Sequence, residues 1–269
     1  KITKEQMDGV PHHLIDIMDP SDSFHVMAFQ QKCKEAMEDI YARHKIPILV
    51  GGTGFYIQSV LYDISFTETD TDIEYRQKLQ KIAEEQGGYV LHARLAKIDP
   101  EAADEIHPNN VKRVIRALEF NHQTGEKISI HNEQERQKKS PYQFRYYVLS
   151  LPREILYDRI NRRVDVMRRD GLVDEVKGLL QQGITPNMVS MQGLGYKEII
   201  DALQGSCSFE EAFERIKRET RHFAKRQFTW FRRERDVTWI DKETYENEDA
   251  ILQYMIEDLK NAHILPADQ

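Results

Sequence analysis

A chain of 269 residues with a formal net charge of −7 can bury one large core or two modest ones, and its acidic balance argues against a generic nucleic-acid coat. No apolar run reaches the length of a membrane span, and the start Lys1-Ile2-Thr3-Lys4-Glu5 carries no apolar signal-peptide segment. Cys33 and Cys207 are too few and too distant for a disulfide framework or a metal cluster, so a soluble cytoplasmic protein is expected.

In chain order, His12-His13 lead into Leu14-Ile15-Asp16-Ile17, which reads as a strand rather than a metal site. Apolar spacing predicts a helix over residues 29–43, ended by Lys45-Ile46-Pro47. The run Ile48-Leu49-Val50-Gly51-Gly52-Thr53-Gly54-Phe55-Tyr56 then reads as a short buried strand, a glycine turn and an amphipathic helix. Gly51 and Gly52 let backbone N–H groups approach a ligand, and the positive end of the helix favours an anion. The Thr53 hydroxyl is placed either to cap the helix or to bind a substrate oxygen. Alone the run decides nothing, because many α/β folds use Gly-Gly to turn a corner.

Residues 64–139 read as almost wholly helical, with helices at 73–86, 89–97, 101–106 and 111–123 and a polar tail near 133–139. That is too long for a simple crossover. It is expected to form a helical domain inserted into an α/β core made of residues 1–63 and 140–269. Strands are predicted at 145–151 and 237–240 from their β-branched and aromatic content. Helix-separated strands of this kind imply a mostly parallel sheet with helices on both faces.

Four segments carry candidate chemistry. In His107-Pro108-Asn109-Asn110-Val111-Lys112-Arg113-Val114-Ile115-Arg116, Asn109 or Asn110 caps a helix that Gly125 stops. Val111, Val114, Ile115 and Leu118 form its buried stripe, while Lys112, Arg113 and Arg116 share a sector. A solvated face is the common explanation, but arginines set against the helix dipole favour phosphate contact. Arg159 and Arg163 stand one turn apart on a helix packed by Ile160, Val164 and Met167. They suit a pyrophosphate clamp, although an ion pair of Arg163 with Asp165 or Glu175 fits the pattern equally.

Gln192-Gly193-Leu194-Gly195-Tyr196-Lys197 places two glycines, an aromatic ring and a lysine at a helix start, where a flipped base or a phosphate could sit. Taken alone, a tight turn with Tyr196 as core packing is the preferred reading. Basic residues crowd positions 215–235 against only Glu219 and Glu234. There Phe213, Ile216, Phe223, Gln227 and Trp230/Phe231 keep helical spacing, and Arg218, Arg221, Lys225 and Arg232 line a face suited to nucleic acid. No histidine set and no Ser-His-Asp or Cys-His arrangement is legible. No metal-ligating residue is identifiable, and Mg²⁺ would be held by a carboxylate and ligand phosphates.

Taken together and in order, residues 11–19, 46–56, 107–119, 163–172, 192–197 and 220–232 resemble the tRNA dimethylallyltransferase (isopentenyltransferase) family, across essentially the whole chain. The resemblance implies a P-loop-NTPase-like α/β core with an inserted helical domain. It implies transfer of a dimethylallyl group from dimethylallyl diphosphate to N6 of the adenosine 3′ of the anticodon, with pyrophosphate released and Mg²⁺ as cofactor. It places Thr53 in the catalytic channel against the target nucleotide, Arg163 on the leaving pyrophosphate, and Gly51 and Gly52 in the diphosphate cradle. Arg76, Lys112, Arg113, Val114, Ile115, Arg116, Gln192, Gly193, Leu194, Gly195, Tyr196 and Lys197 fall at tRNA-contacting positions, and Arg221 and Lys225 join them from the basic helix. The implied partner is the anticodon stem-loop, engaged by a monomer.

One departure stands out. The family begins with a Walker-type loop and an aspartate general base, and no G-x-x-x-x-G-K-[ST] occurs here. The chain is therefore expected to start just after that segment, and a polypeptide beginning at Lys1 is expected to be inactive. Three alternatives stay open: an adenylate isopentenyltransferase acting on a free nucleotide, a non-catalytic RNA-binding module, and, by fold analogy alone, a nucleotide kinase.

Overall fold

A computed structural model describes residues 2–66 and 72–266. Contacts divide the chain into one unit of residues Lys1–Val60 with Tyr142–Gln269 and a second of Leu61–Pro141. The first begins with α1 (Val26–Ala42), whose amino end is capped by His25 through Nδ1, and continues to α2 (Gly54–Leu61). The capping histidine starts α1 three residues ahead of the position the periodicity predicts.

The second unit is helical: α3 (Ile73–Gln86), α4 (Gly88–Ile98), α5 (Pro100–Glu105), α6 (Val111–Thr124) and α7 (Ile128–Gln137). Its core is built from Leu79, Leu91, Leu95, Val114, Ile115 and Leu118. Helix starts and stops follow their local chemistry. Asp72 accepts from the Tyr75 N–H to open α3, and Gly125 ends α6 in the left-handed region at φ 74°, which only glycine enters without strain. Asn110 occupies the cap position of α6 but forms no side-chain capping bond. α7 starts at Ile128, five residues before the predicted polar tail, because its first turn is tied back to Asp99.

Chain order then returns to the first unit with β1 (Tyr146–Ser150), α8 (Arg153–Arg169), α9 (Leu172–Gln181), α10 (Tyr196–Leu203), α11 (Phe209–Phe231), β2 (Val237–Asp241) and α12 (Glu248–Asn261). β1 and β2 pair in parallel, with Tyr146 opposite Val237 and Ser150 opposite Asp241. The molecule is thus α/β, helix-rich, with a small parallel sheet. A core of Val164, Val176, Met191, Ile199, Phe213 and Ile216 joins α8, α9, α10 and α11. Ser208 and Glu211 cap α11 reciprocally, which fixes the start of the longest helix.

Two predicted strands are not strands. Residues 48–50 run outside regular structure, with Ile48 84% and Val50 87% exposed. Their composition suits a strand, but a strand also needs a neighbouring edge to bond, and among the described residues the sheet consists of β1 and β2 alone. Residues 14–16 are bends and Ile17 lies outside regular structure, because Leu14 and Asp16 adopt positive φ of 60° and 53°, which interrupts any extended ladder.

Asp99 is 1% exposed. It accepts from the Ala102 N–H at 3.1 Å, the Ser129 N–H at 2.9 Å and the Ser129 hydroxyl at 2.7 Å, so it caps α5 and holds the start of α7. Burial opposes its charge, but these bonds outweigh burial and hold its carboxyl below the usual value. A depressed folded-state value contributes stability above the unfolded value, and the contribution is lost as pH falls through the folded one. Asp99→Ala should therefore lower stability by about 1–3 kcal/mol at neutral pH. In urea denaturation, its difference from the parent should shrink below about pH 4.

Candidate functional site

The glycine turn ahead of α2 is shaped by α11. A Cβ on Gly54 would collide with the indole of Trp230, and one on Gly52 would collide with Nε2 of Gln227. Gln227 also donates to the Gly52 carbonyl at 2.8 Å, and Phe55 meets Trp230 edge-on at 6.3 Å. Gly52 and Gly54 are thus accounted for by close packing on α11, whereas a Cβ on Gly51 would meet nothing within 4 Å. The Thr53 carbonyl accepts from Tyr56 and Ile57. Thr53 is exposed and its hydroxyl makes no hydrogen bond among the described residues, which leaves it available to a ligand.

On α8, neither alternative partner of Arg163 is available to it. Asp165 pairs with Lys217 of α11 at 2.8 Å, and Glu175 accepts the hydroxyl of Tyr196. Arg163 is exposed and makes no ion pair among the described residues. A cation left over in this way is available to an external anion.

Within the segment 192–197, Gly195 takes φ 103° at the start of α10, and its N–H donates to Glu198 at 2.8 Å. Gln192 donates to the Pro186 carbonyl at 2.6 Å. Tyr196 is half-buried against the core. Burial, then its bond to Glu175, pushes its phenol above the ordinary range. Tyr196 therefore takes the packing role, while Gly193, Leu194 and Lys197 remain exposed.

The basic helix separates into two kinds of cation. Arg221 donates to Asn161 at 2.6 Å and lies 6.0 Å from the Tyr157 ring, so it ties α11 to α8. Arg218 is bonded to Glu219 at 3.1 Å. Lys225 is exposed with no ion pair among the described residues.

In the helical unit, Lys112, Arg113 and Arg116 are exposed on α6, whose first turn contains no acid. None of the three is ion-paired among the described residues. Val114 and Ile115, grouped with them in sequence, are 0% and 4% exposed and belong to the core. Their side chains do not reach a ligand, because helical rotation turns them inward between the cations. Arg76 is not a loose surface cation. Its Nε and Nη2 each lie 2.7 Å from the carboxylate of Glu119, a buried residue that the sequence reading passed over. The signal for it was a lone acid in an otherwise basic helix.

No group of three His, Cys, Asp or Glu side chains gathers as a metal site among the described residues. No helix among them is long and apolar enough to cross a membrane.

Gly54→Ala should destabilise the protein by about 1–3 kcal/mol, because the indole of Trp230 must move. Gly51→Ala should leave the unfolding midpoint unchanged. Thermal or urea denaturation of the two variants checks the contrast.

Comparison with known proteins gives consistent matches. The model of a family described as IPP transferase matches residues 1–234. A tRNA dimethylallyltransferase of Lachnoclostridium phytofermentans is 52% identical over 265 residues, covering 98% of this chain and 85% of the relative. One from Bacillus cereus is 48% identical over 255 residues, covering 95% and 80%. Among solved structures, the tRNA isopentenylpyrophosphate transferase of Bacillus halodurans superposes with a TM-score of 0.68 at 43% identity, covering 98% of this chain and 83% of that one. A eukaryotic dimethylallyltransferase acting on tRNA gives 0.77 at 29% identity, covering 100% and 70%.

Proposed function

The chain belongs to the IPP transferase family, and we propose that it transfers a dimethylallyl group from dimethylallyl diphosphate to N6 of the adenosine 3′ of the anticodon in tRNA. The observation that carries this reading is the set of exposed cations left without ion pairs: Arg163 on α8 and Lys112, Arg113 and Arg116 on α6. In the reaction N6 bonds to the allylic carbon as the carbon–oxygen bond breaks, the diphosphate leaves with added negative charge, and the proton shed by N6 passes to a diphosphate oxygen or to water. A guanidinium lowers the barrier by meeting charge that grows in the transition state, which is the role given to Arg163. The Thr53 hydroxyl faces the reacting nucleotide, and the Gly51 backbone forms part of the diphosphate cradle.

The α6 cations, with Arg76, meet tRNA phosphates, which position the RNA without reading its sequence. In the other unit, Lys225 and the exposed part of the 192–197 turn are assigned phosphate contacts of their own. The same reading gives the core a P-loop-NTPase-like layout, supported by the parallel pairing of β1 with β2 and the helices between them. A cytoplasmic location and a monomeric state accompany it.

In the full-length protein, Arg163→Ala should lower the single-turnover rate of transfer by about 100-fold or more while leaving the tRNA dissociation constant near the parent value. Lys112→Ala or Arg116→Ala should instead weaken tRNA binding and reduce its salt slope by about one unit each. Unchanged single-turnover transfer in Arg163→Ala would contradict the assignment.

A further inference from the structure

We propose that Glu119 is a positioning residue for tRNA binding, holding Arg76 side-on so that the guanidinium extends the cationic row of α6. This rests on the tRNA reading above. Lys112, Arg116 and Glu119 follow the i, i+4, i+7 spacing of a single helix face. By helical rise, Arg116 lies about 6 Å beyond Lys112, and Glu119 lies about 4.5 Å further along the axis. The third place on this face is thus an acid, which alone would repel a phosphate. Arg76 neutralises that charge and sets a guanidinium outermost.

The geometry makes the pair a mount rather than a neutral patch. Glu119 is 1% exposed, whereas the Arg76 side chain is 49% exposed, so the carboxylate lies beneath and the guanidinium above. Nε and Nη2 are both occupied by the carboxylate. Nη1 has no partner among the described residues and is left for an external oxygen. A guanidinium fixed on one edge loses little further freedom when its other edge meets a phosphate.

The base of the mount is also held. Arg76 lies in the first turn of α3, where Asp72 caps the helix through Tyr75. The Tyr75 ring stacks on His122 of α6 at 3.9 Å and 14°, and His122 Nε2 lies 3.6 Å from Asp72. Two helices far apart in sequence therefore contribute to a single row of cations.

The test has a sign. If Glu119 were only a negative charge near RNA, Glu119→Gln would tighten binding. As a positioning residue, its replacement should weaken binding of an anticodon stem-loop about fivefold to tenfold and lower the salt slope by about 0.7 to 0.9, the share of a single phosphate contact. The loss should fall on KM for tRNA rather than on kcat. Arg76→Ala should show the same loss, and Arg76→Ala combined with Glu119→Gln should be no worse than either alone.

Because replacing a buried carboxylate can unsettle the fold, Arg76→Lys supplies a second arm at an exposed position. It keeps the charge but lacks the fork, and it should also weaken stem-loop binding. Equal or tighter binding by folded Glu119→Gln, or parent-like binding by Arg76→Lys, overturns the proposal. Failure of the parent protein itself to bind the stem-loop would instead overturn the tRNA reading on which it rests.

Discussion

A carboxylate withdrawn from water must be met by fixed donors. Asp99, Glu119 and Glu198 are the charged side chains buried among the described residues, and each organises its surroundings on that account. Asp99 draws in Ser129 and the Ala102 N–H, setting the entry to α5 and α7. Glu198 receives the Gly195 N–H and so shapes the turn that opens α10. Glu119 takes the guanidinium of Arg76 and joins α3 to α6. Candidate ligand-binding segments sit on two of these anchors, so their shape follows from a desolvation requirement.

The same accounting sorts the cations. Arg221, Lys217 and Arg215 are held by Asn161, Asp165 and Asp201 and serve the packing of α11 against its neighbours. Lys112, Arg113, Arg116 and Arg163 have no such partners among the described residues. In a chain of net charge −7, placed and unneutralised cations are the feature that an anionic substrate reads. Being exposed, they act over roughly a Debye length and weaken with salt, which suits an RNA that must be released after modification.

Much of the fold was legible because it is local. Periodicity located α1, α3 to α6 and the basic helix α11, Gly125 marked the end of α6, and β-branched runs marked β1 and β2; α9 and α12 were not read from the sequence. What escaped depends on distant partners. Residues 48–50 have strand composition, but composition cannot supply a neighbouring edge. The glycines of the 51–54 turn read as a ligand approach, whereas Gly52 and Gly54 answer to Gln227 and Trp230, far along the chain. The pairing of Arg76 with Glu119 likewise spans 43 positions. At the candidate site, the cations were visible in the sequence, but their partners were not. The sequence alone therefore leaves Arg163 balanced between ion pair and anion ligand, and the engagement of Asp165 by Lys217 and of Glu175 by Tyr196 decides it. Val114 and Ile115 enter the site only through the family resemblance, although their own periodicity already assigns them to the core.

The central claim is that these surplus cations serve a polyanionic RNA acceptor rather than a small nucleotide. Comparing dimethylallyl transfer by the full-length protein onto an anticodon stem-loop and onto free AMP, across a salt series, tests it most directly. The account predicts transfer to the stem-loop that falls steeply with salt, and negligible transfer to AMP. Equal, salt-insensitive turnover on AMP would contradict it.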